Sequence, residues 1–310
     1  MADKKILIVD DLHPAFKLEA EKLGFVVDDR PEISYPQVLG IIGEYTGLAV
    51  RTKFFVGEEL IRRSANLKFI ARAGAGMDNI DVKLAAERGV ACITASEGNR
   101  DAVGEHTIAM LLSLMNNLRK SDLEIRDGIW NREGNRGFEL KGKTVGIIGY
   151  GHTGRSVARK LKGFEANVLA YDKYHTGFSD ENAKESSMEE IVKHADVLSL
   201  HIPLTAETRQ MVNDEYFFHF KKPIFFLNTA RGEIVNTQAV LNGIKQGKIL
   251  GAGLDVLEVE KFPSLKEQTW FNYLIENGKV LLSPHVAGWT FESYRKISEV
   301  LAEKLKNLQI

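Results

Sequence analysis

The stretch GIIGYGHTG, residues 146–154, carries four glycines, the last three of them set just past an apolar run, and its reading decides the fold. Glycine spacing alone weighs little, because any tight strand-to-helix turn favours residues that tolerate positive φ. The flanking sequence gives it weight. TVGIIGY (144–150) has the character of a buried strand, Gly149, Gly151 and Gly154 satisfy G-x-G-x-x-G, and RSVARKLKGF continues as a helix with Val157, Ala158, Leu161 and Phe164 on one face. In such a unit Gly149 permits the tight turn and Gly151 lets a pyrophosphate approach the backbone. Gly154 lets the helix pack closely on the strand, and the first helical amides face the phosphates. A second apolar strand, NVLAYD, ends in Asp172, 18 residues after Gly154. A carboxylate there accepts hydrogen bonds from ribose hydroxyls and repels a 2′-phosphate, so the expectation is a dinucleotide site that takes NAD rather than NADP.

Working outward, apolar runs recur at 5–10, 25–29, 48–52, 68–74 and 91–96, with helix-like segments such as HPAFKLEAEKLG and VGEELIRRSA between them. A second series follows at 144–150, 167–172, 196–201, 223–230, 249–256 and 280–286. Continuous apolar runs suit strands buried on both faces, and their alternation with helices predicts an α/β protein with two doubly wound parallel-sheet domains. The expected arrangement is a Rossmann domain over 100–286 and a flavodoxin-like substrate domain over 1–99, completed by 287–310, with a cleft between them. The segment GEHTIAMLLSLMNNLRK (104–120) is expected as one helix, apolar almost all round at Ile108, Met110, Leu111, Leu112, Leu114, Met115 and Leu118 and therefore buried. The amphipathic segment FESYRKISEVLAEKLKNL is expected to return to the first domain.

The 310 residues are 44% hydrophobic and 27% charged, enough for two separate cores. With 41 basic and 42 acidic side chains the formal charge is −1, and no block of like charge marks a nucleic acid or an anionic membrane as partner. MADKKILIVD is unlike a signal peptide, and no apolar run is long enough to span a bilayer. A soluble, cytoplasmic protein with a small-molecule ligand is the expectation. The single cysteine, Cys92 in GVACITAS, excludes an internal disulfide, fits a reducing compartment and is expected as a buried packing residue. No metal site is assigned.

Ligands of doubly wound sheets bind beyond the carboxyl ends of the strands. There FFLNTARGEIV carries Arg231, GLDVLEVE carries Asp255, Glu258 and Glu260, and LLSPHVAGW carries His285. An arginine can clamp a carboxylate through two parallel hydrogen bonds, a histidine exchanges protons near neutral pH, and a carboxylate can orient that histidine. Singly, each has a plainer reading: a surface salt bridge, a solvated loop charge, a satisfied strand-end histidine. His201, in LHIPLT at another strand end, is expected to border the nicotinamide or to be structural.

Together, GIIGYGHTG, NTARGEIV, GAGLDVLEVE and SPHVAGWT resemble the successive signatures of the D-isomer-specific 2-hydroxyacid dehydrogenases, in the right order over nearly the whole chain. The resemblance implies that Arg231 binds the substrate carboxylate and polarises the carbonyl. It also makes His285 the proton donor and acceptor, with Glu260 hydrogen-bonded to it. Asp255 approaches the nicotinamide carboxamide, and His152, Thr153, Thr229, Ala230 and Gly288 line the cofactor. One departure is that Lys261 and Phe262 precede Pro263, where the family usually has proline directly after the catalytic glutamate. Glu258 is therefore a rival to Glu260.

LAVRT ends near Arg51, and FIARAGAGMDNID supplies Arg72 beside the turn of Gly74 and Ala75. Two extra guanidinium groups suit a phosphate better than an uncharged methyl end, and the pair resembles that of the D-3-phosphoglycerate dehydrogenases, in which Ala75 is often threonine. The resemblance thus implies oxidation of 3-phospho-D-glycerate to 3-phosphooxypyruvate, the entry step of serine biosynthesis, by a homodimer built around the helix at 104–118. Domain closure would exclude water from the hydride path. No further module is expected after the final helix, and the resemblance equates that expectation with a form lacking a C-terminal regulatory domain. The alternatives are a glyoxylate or hydroxypyruvate reductase with the same catalytic set, and a non-catalytic NAD(H)-sensing binding protein of this fold.

Overall fold

The computed structural model describes residues 4–308 and divides into two compact units, one of residues 1–100 and 289–310 and the other of residues 101–288. In the first unit the chain runs through β1 (Lys5–Ile8), α1 (Ala15–Lys22), β2 (Val26–Asp29), α2 (Tyr35–Ile41), β3 (Gly47–Val50), α3 (Glu58–Arg63), β4 (Phe69–Arg72), α4 (Val82–Glu87) and β5 (Ala91–Thr94). The strands form one parallel sheet in the order β2-β1-β3-β4-β5. This is the flavodoxin-like order, whose switch point lies between β1 and β3. The central strands are buried throughout because helices cover both faces. Leu7, Leu48 and Ile70 enter one core layer, and Ile6, Ile8 and Phe69 the other.

Helix α5 (Ser96–Met115) carries the chain into the second unit, which continues with α6 (Leu118–Arg126), β6 (Thr144–Ile148), α7 (His152–Leu161), β7 (Asn167–Tyr171), β8 (Lys184–Glu185), α8 (Met188–His194) and β9 (Val197–Leu200). It then runs through α9 (Asp214–Phe218), β10 (Ile224–Asn228), α10 (Thr237–Lys245), β11 (Ile249–Leu254), α11 (Phe271–Glu276) and β12 (Val280–Leu282). The seven strands are parallel in the order β12-β11-β10-β9-β6-β7-β8, a Rossmann sheet whose order reverses between β6 and β9. The last described element is α12 (Phe291–Asn307), whose Ile297, Leu301, Ala302 and Leu305 complete the first unit's core with Phe16 and Ala20 of α1.

Three sequence expectations change. The helix at 104–120 starts earlier, at Ser96, and stops at Met115, because Asn117 takes a left-handed conformation at φ 53° and its side-chain amide donates to Arg136 O. Asparagine tolerates that region better than other non-glycine residues. Ile108, Met110, Leu111 and Met115 are buried in the second unit's own core, whereas Leu118 falls on α6 and is exposed. The edge strand β8 consists of two charged residues and had no apolar run to reveal it. Cys92 is partly rather than fully buried against the first unit's core, and burial pushes its thiol pKa up, away from a reactive thiolate.

Candidate active site

The glycine turn lies at the switch point of the second sheet, where α7 follows β6. Gly149 sits at φ 93°, and a Cβ there would come 2.4 Å from the carbonyl oxygen of His201 at the end of β9. A Cβ on Gly154 would lie 2.0 Å from Gly149 O, so α7 can pack on this turn only with glycine there. Gly151, the N-cap of α7, faces open space, with nothing within 4 Å of a Cβ and no side chain capping the helix. An uncapped first turn behind an open glycine fits a dinucleotide pyrophosphate, with His152 and Thr153 at the mouth. Asp172, just beyond β7, accepts from Tyr150 N at 2.9 Å, Tyr174 N at 3.0 Å and His175 Nδ1 at 3.0 Å. Burial works against its ionisation, but the two amides and His175 outweigh that and hold the carboxyl below its ordinary range. Lys173, the neighbouring cation, is paired with Glu207.

His201 donates or accepts through Nε2 to Ser199 Oγ at 2.9 Å, while its buried Nδ1 has no partner among the described residues. Burial pushes its pKa from 6.5 down to about 4. The folded state therefore refuses a proton that the unfolded chain accepts below 6.5, so stability is full above that pH and falls as pH drops toward 4. The loss is at most about 3 kcal/mol. Urea unfolding at pH 7.5 and pH 5 is expected to show a smaller acid loss in His201→Asn than in the parent. An equal loss in both would exclude this origin.

The groups beyond β10, β11 and β12 form a connected set. His285 occupies the left-handed region at φ 55°, a conformation that costs free energy for a non-glycine residue and persists where surrounding bonds impose it. Its amide donates to Asp255 O at 2.7 Å, and its Nδ1 lies 2.8 Å from Glu260 Oε2. Because a carboxylate only accepts, Nδ1 donates to Glu260, which makes Nε2 the acceptor nitrogen of the neutral imidazole. Glu258, the rival, is spent elsewhere. It accepts from Gln210 Nε2 and from Thr237 N at the start of α10, both at 2.7 Å.

Asp255 is 2% exposed and holds the loop that presents His285. It accepts from Val286 N and Ala287 N at 2.9 Å each and from Ser283 Oγ at 2.5 Å. The Ser283 hydroxyl thus gives its proton to Asp255 and accepts from His106 Nε2 at 2.9 Å. His106, on α5, escaped the sequence reading because it lies far from the strand-end motifs. Its position beside Glu105 in an apolar helix was the available signal. Beyond β10, Asn228 is fully buried and builds the turn for Arg231: its Oδ1 accepts from Ala230 N at 3.0 Å and its Nδ2 donates to Arg231 O at 2.9 Å. Gly232 is required next, since a Cβ would lie 1.9 Å from Leu257 O. Arg231 Nη1 donates to Ala230 O at 2.7 Å, and Thr229 Oγ1 lies 3.0 Å from Thr107 Oγ1. Gly288 closes the unit just past Ala287.

In the first unit, Asp10 at the end of β1 accepts three successive amides of the loop after β3, from Arg51, Thr52 and Lys53, at 2.8–2.9 Å. Arg51 is therefore held at that sheet's own switch point. Its guanidinium makes no hydrogen bond or ion pair among the described residues and lies 3.5 Å over the ring of Trp289. Burial pushes its pKa down, opposed by Asp10 and Asp11. Arg72 ends β4 and folds back over Gly74, which sits at φ 146° ahead of Ala75. Asn79, also unforeseen, donates to Arg51 O at 3.2 Å and Phe54 O at 3.3 Å and so ties the Arg51 loop to the segment after β4.

Residues 108–287 match the family model "D-isomer specific 2-hydroxyacid dehydrogenase, NAD binding domain". The chain is 33% identical to a D-3-phosphoglycerate dehydrogenase of Archaeoglobus fulgidus over 309 residues, covering 98% of this chain and 57% of that enzyme. It is 32% identical to the glyoxylate reductase of Pyrococcus furiosus over 297 residues, covering 93% of this chain and 86% of that enzyme. The chain thus spans about half the length of the phosphoglycerate dehydrogenases it matches. Among solved structures, a glyoxylate reductase from Paecilomyes thermophila superposes with a TM-score of 0.87 at 26% identity, over 99% of this chain and 95% of that one. No helix among the described residues is long and apolar enough to cross a membrane. The chain belongs to the D-isomer-specific 2-hydroxyacid dehydrogenases, and its second unit is the NAD-binding domain of that family.

Proposed function

We propose that the protein oxidises 3-phospho-D-glycerate to 3-phosphooxypyruvate with NAD as hydride acceptor. The observation that carries this choice is Arg51, a sheltered guanidinium at a switch point whose N–H groups have no partner among the described residues, a form suited to a phosphate. NAD, which the glycine turn and Asp172 would hold, would supply the acceptor for the hydride of the carbon 2 C–H bond. His285 takes the 2-hydroxyl proton at Nε2 as that C–H bond breaks, and Glu260 stabilises the resulting imidazolium through Nδ1. Arg231 holds the carboxylate and the oxygen that becomes the carbonyl. Asp255, Ser283 and His106 keep the His285 loop in place, adding to the carboxamide contact that the family resemblance implies for Asp255. A second reading, reduction of glyoxylate or hydroxypyruvate, is favoured by relatives of those names of which the chain spans 86%.

An absorbance assay on 3-phospho-D-glycerate and D-glycerate with NAD, and on glyoxylate and hydroxypyruvate with NADH, separates the readings. The phosphorylated acid is expected to have the highest kcat/KM. Faster turnover of glyoxylate or hydroxypyruvate would transfer the assignment to the reductases, and tight NADH binding without turnover of any acid would indicate a sensing protein. In the same assay NAD is expected to exceed NADP by about 10-fold or more, the scale of one charge-assisted hydrogen bond. Asp172→Ala is expected to narrow that ratio, and equal efficiency in the parent would overturn the role given to Asp172.

We also infer a homodimer. The apolar helix on which that expectation rested is consumed by its own unit's core, but Leu118, Leu123, Ile125, Ile129 and Trp130, on and just after α6, are 46–85% exposed. A run of exposed apolar side chains marks an association surface. Light scattering is expected to give twice the monomer mass, and Ile125→Glu with Trp130→Glu to give the monomer. A parent that scatters as a monomer would remove the inference.

A further inference from the structure

Three elements of the first unit converge on Arg51. The loop after β3 is fixed from below by Asp10, whose Oδ2 takes the three amides of residues 51–53. The face of the guanidinium is covered by Trp289, with its carbon 3.5 Å from the ring centroid. Trp289 is in turn positioned by its neighbours. It precedes Thr290, which caps α12 through a reciprocal pair of bonds with Ser293, and the Tyr294 ring meets its edge at 5.3 Å. Tyr294 is itself held, donating to Asp11 Oδ1 at 2.7 Å and meeting the His13 ring at 5.4 Å. The carboxylates of this cluster are thereby occupied: Asp10 by backbone amides and Asp11 by the tyrosine hydroxyl. Neither forms a salt bridge with Arg51.

A guanidinium stacked on an indole keeps its N–H groups in its own plane, pointing outward, while the ring replaces water on one face. The stack therefore restricts the side chain to one orientation without using a single donor. An arginine paired with a carboxylate would be equally ordered, but its donors would be taken. An unpaired arginine in water would have free donors and would lose side-chain entropy on binding.

We propose that Trp289 is the specificity-determining positioning residue for the phosphorylated end of the substrate, holding Arg51 as a preformed receptor for a tetrahedral oxyanion. This rests on the phosphoglycerate reading and adds to it Trp289, a residue of the SPHVAGWT stretch to which the family resemblance assigns no role in binding phosphate.

The test compares the parent enzyme with Trp289→Ala, Trp289→Phe, Arg51→Ala and the Trp289→Ala/Arg51→Ala pair. It uses steady-state kinetics on 3-phospho-D-glycerate and D-glycerate with NAD, and calorimetric titration of 3-phospho-D-glycerate. Trp289→Ala is expected to raise KM and Kd for the phosphorylated acid by about 3- to 30-fold, the range of a partly desolvated cation–π contact, with the effect on KM rather than kcat. Trp289→Phe is expected to recover part of the loss, and the double variant to be no worse than Arg51→Ala alone. A merely structural tryptophan would harm both acids alike, and that outcome would overturn the proposal. If Arg51→Ala is selectively impaired while Trp289→Ala matches the parent, the tryptophan role falls and the phosphoglycerate reading stands. If the parent neither binds nor oxidises 3-phospho-D-glycerate, the reading itself fails and takes this inference with it.

Discussion

Replacing His285 with alanine is expected to lower turnover by about 100-fold or more, the usual scale for losing a general acid or base, while NADH binding stays close to that of the parent. The separation follows from the geometry. The imidazole lies on the loop after β12, with Nδ1 on Glu260 and Nε2 uncommitted, whereas the glycine turn expected to receive the pyrophosphate follows β6 on another part of the sheet. Glu260→Gln leaves an acceptor near Nδ1 but removes the charge that stabilises the imidazolium, so turnover is expected to fall with little change in thermal stability. Glu258→Gln is expected to do the reverse, because Glu258 accepts from the first amide of α10, Thr237 N, and from Gln210. If Glu258→Gln loses turnover and Glu260→Gln does not, the assignment of the two glutamates is wrong. NADH fluorescence titration together with initial rates measures both halves of the prediction.

The second large effect concerns the arginines of the first unit. Charge-assisted hydrogen bonds are worth about 1.5 to 3 kcal/mol, so Arg51→Ala or Arg72→Ala is expected to reduce kcat/KM on 3-phospho-D-glycerate by roughly 10- to 100-fold. D-glycerate, which offers these side chains nothing to hold, is expected to be nearly indifferent. The two positions differ in their structural risk. Arg51 makes no side-chain hydrogen bond among the described residues, so its removal deletes mainly the indole contact. Arg72 lies against its own turn, with Nη1 3.3 Å from Ala73 O and a buried Nε, and its removal is expected to cost stability as well. Urea unfolding of both variants separates the contributions: a uniform loss on both acids with a lowered midpoint would mark a structural arginine.

The two sheets, the glycine turn and the strand-end set were legible in the sequence for a local reason. A strand buried on both faces needs a continuous apolar run, and a G-x-G-x-x-G turn needs glycine where φ is positive, as at Gly149, or where a Cβ would strike the turn just before it, as at Gly154 against Gly149 O. Such requirements act between residues near in sequence and leave a local trace. Where the trace was weak, the reading slipped: β8 has only Lys184 and Glu185, and the break at Asn117 hides within a helix-like run. Tertiary structure alone decided the pairings between distant loops. Glu258 and Glu260 look equivalent in VLEVE, and what distinguishes them is that Gln210, 48 residues away, and Thr237, 21 away, reach the first of the two. His106 meets Ser283 across 177 residues, and Arg51 meets Trp289 because α12 returns to the sheet that carries β3. The order of strands in a sheet determines which loops become neighbours, and these contacts follow from that order rather than from any pattern within the segments they join.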